Sequence, residues 1–225
     1  MLDQNLYMQQ LSDLLMEHFG DRVLYIGLQG SYMRGEATEH SDIDPMVVID
    51  QLSMDDLQKY KEMISRLQDP EKHCGFICGK RELENWNPLE ICHLLHSTKD
   101  IYGELKTLAP AYTKEDVRNF AKLSVGNLYH EICHRYLHAS RDQNSAGLID
   151  SYKNVFFILQ NVYYLETERF ARTKKDLLEM TSGDDKSILS TAIALSEGAS
   201  YEFEELFSFL VNWCSALLVR LSAGT

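Results

Sequence analysis

Apolar side chains recur at helical spacing through residues 2–19 (Leu11, Leu14, Leu15, Phe19) and stop at Gly20, which predicts an opening helix. The period then changes. Residues 22–29 form a short β-prone run closed by Gly30, residues 43–49 a second, and residues 73–78 a third before Gly79. Residues 54–67 and 89–96 return to amphipathic helical spacing. Strands with intervening helices predict an α/β unit built on a small mixed sheet.

After Pro110 the strand signals end. Thr113 followed by Glu115 and Asp116 reads as a helix start, with Thr113 as N-cap and acids in the first turn. Helical patterns run from there to about residue 140, then through 146–171, 186–195 and 201–221. Polar breaks at 141–145 and 182–185, and Gly198, separate them. The predicted fold class is therefore α+β. A domain over 1–108 holds a small mixed β-sheet with helices, and an all-α up-and-down helical bundle follows over 109–225.

Composition narrows the classes. The chain has 225 residues, 44% hydrophobic and 25% charged, which excludes a wholly disordered or low-complexity protein. The formal net charge of −12 speaks against a global nucleic-acid-binding face. Most of that acid lies in residues 1–108, with 10 basic and 19 acidic side chains. Such a balance suits a divalent cation or a cationic substrate, and equally a solubilising surface. The five cysteines are an odd number without a secreted framework's density. No charged segment followed by an apolar one opens the chain, and the apolar run at 155–165 is broken by Gln160 and Asn161. The expectation is a soluble, reduced, cytoplasmic protein with no membrane partner.

The chemistry concentrates in residues 27–49. A strand leads into Gly30-Ser31, a turn follows, and the next strand opens with Asp42-Ile43-Asp44. Side chains two apart on a strand share a face, so both carboxylates can project into one site. Two such anions repel each other, and a divalent cation relieves the repulsion. Mg²⁺ accepts one or two carboxylates while phosphate oxygens and water fill its other positions. Gly30 lets backbone approach a phosphate, Ser31 and nearby N–H groups can donate to it, and Arg34 can add a charge-assisted contact. Ser41, which opens the Ser-Asp-Ile-Asp stretch, completes the nucleotide-facing set of Gly30, Ser31, Arg34 and Ser41.

Gly30-Ser31, Arg34-Gly35 and Ser41-Asp42-Ile43-Asp44 resemble the nucleotidyltransferases of the DNA polymerase β superfamily. The helical second half is similar to the kanamycin nucleotidyltransferase type, and residues 95–103 look like that family's join into the bundle. The resemblance implies that Gly30 and Ser31 hold a nucleoside triphosphate such as ATP, and that Asp42 and Asp44 hold Mg²⁺. It also implies transfer of a nucleoside monophosphate to a hydroxyl of a small acceptor, with an aminoglycoside-like amine-bearing sugar fitting the acidic balance. A general base on the first bundle helix falls at Glu131 or His130, with Glu131 preferred; its ordinary alternative is an i,i+4 ion pair with Arg135. Oligomeric state stays open, a homodimer being the pairing that enzymes of this layout often form.

Two departures stand out. The family's third carboxylate has no counterpart in residues 73–78, with Glu71, Glu82 and Glu84 the nearest acids in sequence. Pro45 stands where an apolar residue is usual, which predicts that its strand lies at a sheet edge or begins only at Met46. The rival reading is a nucleotide-binding or antitoxin-like module of the same fold with weak or no transfer. Other motifs compete less well. His130-Glu131-Ile132-Cys133-His134 matches a zinc-protease pattern, with His138 one turn on, yet Asp150 and Glu166 are its only downstream ligand candidates. Cys74 and Cys78 lack a second cysteine pair and read as buried free thiols.

Overall fold

The computed structural model describes residues 2–223. Packing divides the chain into two units, Met1–Tyr112 and Thr113–Thr225.

In the first unit α1 (Gln4–Phe19) begins where the Asp3 side chain accepts from the backbone N–H of Asn5 and Leu6. Then come β1 (Val23–Gln29), the short helix α2 (Gly30–Arg34), β2 (Asp44–Ile49) and α3 (Met54–Ile64). They are followed by β3 (Phe76–Gly79), α4 (Lys80–Glu84), α5 (Pro88–His96) and β4 (Lys99–Tyr102). The sheet order is β3-β2-β1-β4, with β2/β3 parallel and the β1/β2 and β1/β4 pairs antiparallel. One sheet face contributes Val23, Ile26, Leu28, Val47 and Ile49 to a core completed by α1 and α3. The other contributes Tyr25, Met46 and Val48 to a smaller core with Leu83 and Leu105. Alternating burial thus lets one short sheet anchor helices on both sides.

Arg22 ties the base of the sheet to α3. It reaches Asp50 and, through two nitrogens, the buried Asp56, whose carboxylate also closes the capping box with Ser53. The Arg22 guanidinium and those capping donors hold the Asp56 carboxyl well below the usual carboxylate range.

Several boundaries differ from the sequence expectation. β2 is an interior strand, so Pro45 does not mark an edge. The explanation lies opposite: a Cβ on Gly75 would stand 2.6 Å from Pro45 Cδ and 2.8 Å from its nitrogen, so the ring occupies the space a side chain would need. Ladder pairing is correspondingly thin there. Ile43 and His73 form an isolated bridge, and the regular β2/β3 ladder starts only at Met46↔Phe76. The third strand is thus shorter than the expected 73–78. β4 and α4 were not predicted at all; β4 is a four-residue edge strand with every position exposed, so it carries no alternation to read.

The second unit is all helical: α6 (Lys114–His138), α7 (Arg141–Thr167), α8 (Lys174–Met180), α9 (Gly183–Ser196) and α10 (Phe203–Ala223). The Thr113–Asp116 capping box starts α6 as expected. The predicted break at 141–145 is instead the first turns of α7, because Ser140 and Gln143 form a second capping box. Likewise 182–185 is the start of α9 and α8 fills part of a stretch read as loop. α10 is long and apolar enough by composition to cross a membrane, but its Leu206, Leu210, Trp213, Cys214, Leu217 and Leu221 line the helical core. Trp213 also donates its indole N–H to Asp185 at 2.8 Å.

Candidate active site

The antiparallel register pairs Gln29, the last residue of β1, with Asp44, the first of β2. The turn after β1 is therefore forced to lie beside the start of β2. Gly30 takes φ +70° there, and a Cβ on it would fall 2.8 Å from Asp44 Cγ and closer still to Oδ2. Only glycine satisfies both the left-handed backbone and the space taken by the carboxylate. Gln29 itself is pinned by its amide, which donates to Thr98 Oγ1 at 2.8 Å.

Asp42 is exposed, Ile43 fully buried and Asp44 half-buried, the alternation expected of carboxylates sharing one face. Burial raises the Asp44 carboxyl above the usual carboxylate range, and the Asp42 charge raises it further. A hydrogen bond from the Cys74 thiol and the charge of Arg34 pull the other way. Burial and a neighbouring acid thus disfavour the charged form of Asp44, an arrangement a bound cation would relieve.

The loop from α2 to β2 is braced. Gly35 at φ +72° caps α2, with Glu36 N–H donating to Ser31 C=O at 2.9 Å. Arg34 Nε pairs with Glu36 at 2.8 Å, Ser41 Oγ accepts from Thr38 N–H at 2.8 Å, and Lys72 Nζ donates to Glu39 C=O at 2.7 Å. Ser41 Oγ also lies 3.3 Å from Thr38 Oγ1 within the same turn.

Gly30, Ser31, Arg34, Asp42 and Asp44 lie together on the first unit. Glu131 lies on α6 of the second, where it pairs with Arg135, whose other nitrogen reaches Ser151 Oγ at 2.6 Å. The ion-pair alternative weighed for Glu131 is therefore its arrangement here.

Sequence reasoning missed Cys74. It is exposed, not buried like Cys78, Cys92 and Cys214, and its thiol lies against the Asp44 carboxylate. Burial and the neighbouring Asp44 and Asp42 charges push that thiol up. The signal was faint but present, since Cys74 sits on the segment where the third acid was sought. Next to it, the His73 ring lies between Tyr7 (Nδ1, 2.9 Å) and Tyr60 (Nε2, 3.1 Å), and desolvation lowers its pKa to about 4. Glu82 lies instead by Gly79 at the far end of β3. Among the described residues no three His, Cys, Asp or Glu side chains are grouped to hold a metal ion. Two carboxylates still fit Mg²⁺, which commonly takes one or two from protein and the rest from phosphate and water.

Comparison with known proteins finds a matching family model and a similar fold. The family model described as a nucleotidyltransferase domain matches residues 8–99, which include β1, the Gly30-Ser31 turn, Asp42 and Asp44. The solved structure of spectinomycin adenyltransferase AAD(9) from Enterococcus faecialis, with ATP and spectinomycin, shares the fold. The two align at a TM-score of 0.59 and 15% identity, over 95% of this chain and 100% of that one. No curated protein gives a significant sequence match. The strand, glycine turn and paired acids of the first unit all lie inside the segment, residues 8–99, that matches the nucleotidyltransferase domain family.

Proposed function

We propose that the protein is a Mg²⁺-dependent enzyme that transfers a nucleoside monophosphate from a triphosphate such as ATP to a hydroxyl of a small acceptor. The observation carrying this reading is the Asp44 carboxylate, near enough to the Asp42 charge to be raised by it, beside a turn that excludes any side chain at residue 30. In the reaction the acceptor oxygen bonds to the α-phosphorus, the bond to the β-phosphate oxygen breaks, and pyrophosphate leaves. A bound Mg²⁺ would neutralise the phosphate oxygens and the charge that develops on them. Asp42 and Asp44 would hold it, Gly30 and Ser31 would seat the triphosphate, and Arg34 would add positive charge beside it.

The domain over 1–108 is read as catalytic and the bundle over 109–225 as the acceptor-binding part. Glu131 or His130 takes the hydroxyl proton, and Glu131 must release Arg135 to do so. The acidic balance, with a sequence pI near 5.1, favours an amine-bearing, aminoglycoside-like acceptor, and the similar structure's spectinomycin is of that general kind. Five free cysteines suit a cytoplasmic setting.

The test is pyrophosphate release from ATP and other triphosphates against a panel of aminoglycoside-type acceptors. Asp42→Asn should abolish it; an unchanged rate in that variant would falsify the assignment. Cys74 beside Asp44, where a third acid was sought, favours a second reading, a nucleotide-binding module with little transfer. Tight binding of a non-hydrolysable triphosphate without turnover across the panel would select that reading.

A further inference from the structure

The exposed face of α6 carries His130, His134 and His138 at successive i,i+4 positions. The opposite face is anchored in the helical core by Val125, Leu128 and Ile132, so the backbone presenting the imidazoles is fixed. The last turn is also closed, with Ala139 N–H donating to Arg135 C=O at 2.9 Å.

The rings are not equally spaced. His134 and His138 have centroids 4.6 Å apart, whereas His130 and His134 are 5.9 Å apart. With a metal–nitrogen bond of about 2.0–2.1 Å, a ring centroid lies about 3.2 Å from the ion, so neighbouring ligands at 90–110° hold their centroids about 4.5–5.2 Å apart. The His134–His138 pair falls inside that window and the His130–His134 pair outside it. Among the described residues no three His, Cys, Asp or Glu side chains form a metal-holding group, so the pair supplies two ligands only. Imidazole is a borderline-soft ligand suited to Zn²⁺, Ni²⁺ and Cu²⁺ rather than to Mg²⁺.

We infer that His134 and His138 form a bidentate site for a divalent transition-metal ion on the outer face of α6, with the remaining coordination positions left to water or an external ligand. The site is separate in residues and in ligand chemistry from Asp42 and Asp44, and it does not depend on nucleotidyl transfer.

The experiment titrates Ni²⁺ into the full chain, free of any histidine tag, by calorimetry near neutral pH. The Asp42→Asn, Cys74→Ser double variant serves as background, so that neither the paired acids nor the exposed thiol contributes. One ion per chain should bind. His134→Ala and His138→Ala should each weaken it about tenfold or more, because the second imidazole then no longer binds intramolecularly. His130→Ala should change the affinity less than about threefold, since that ring lies outside the chelating span. All three positions are solvent-facing, and thermal melts of the variants check that the fold is intact. Nitrogen hyperfine structure in the Cu²⁺ electron paramagnetic resonance spectrum should fit two imidazoles and fall to one in His138→Ala. Binding that survives both alanine variants, or that is absent from the background chain, overturns the proposal.

Discussion

Gly30→Ala distinguishes backbone strain from carboxylate displacement, because Gly35 supplies a matched control. Gly30 and Gly35 share nearly the same positive φ, +70° and +72°. An alanine at either position holds a left-handed conformation at a cost of about 1–2 kcal/mol. Their surroundings differ. A Cβ on Gly35 meets nothing within 4 Å, whereas one on Gly30 falls 2.8 Å from Asp44 Cγ and nearer still to Oδ2. The carboxylate is the free end of a side chain, so it swings aside at little cost in stability. It then leaves its place against the glycine turn. Both variants should therefore lose about the same 1–2 kcal/mol, read as matched drops of a few degrees in melting temperature. Only Gly30→Ala should lose turnover, by about a hundredfold or more, the scale seen when one preorganised electrostatic partner is removed. Melting curves and pyrophosphate release on the two variants check this. Equal turnover in the pair, or wild-type turnover in Gly30→Ala, refutes the claim that the glycine exists to admit Asp44.

Two further outcomes follow from the same unit. Cys74→Asp puts a carboxylate against Asp44, so it should tighten divalent-ion binding and raise transfer, while Cys74→Ser changes both little; a calorimetric Mg²⁺ titration showing no gain for Cys74→Asp contradicts the placement of Cys74 at the site. For His73, an imidazole titrates near 6.5 when unfolded and at about 4 when folded, so the unfolded chain binds more protons between those two values. Stability is full above pH of about 6.5 and declines as pH falls toward 4; His93, also lowered to about 4 by burial and then by Arg34 and His96, adds to the slope. Urea midpoints at several pH values should show a shallower decline in His73→Gln, which keeps partners for Tyr7 and Tyr60, and an unaltered slope counts against the assignment.

The elements with strong periodicity were legible before any coordinates: α1, β1, β2, α3 and the long helices of the second unit come from patterns that alternate or repeat over several turns. The Gly30-Ser31 turn and the start of β2 at Asp44 were legible for a related reason, since a glycine closing one β-prone run and an acid opening the next mark the strand ends. Ser140 and Gln143 start α7 in a stretch whose polarity reads as a break, because side-chain hydrogen bonds replace apolar periodicity at a helix start.

Other features depended on partners far away in sequence. Pro45 fits an interior strand only because Gly75, thirty residues on, leaves room for its ring. Cys74 meets Asp44 only because β3 runs parallel to β2, a pairing that no local pattern specifies. β4 has four exposed positions, so its strand character comes from ladder bonds to β1 rather than from any preference of its own residues. Local patterns fix which face a side chain takes within its own element; strand order and register, which are contacts between elements, decide what that face meets.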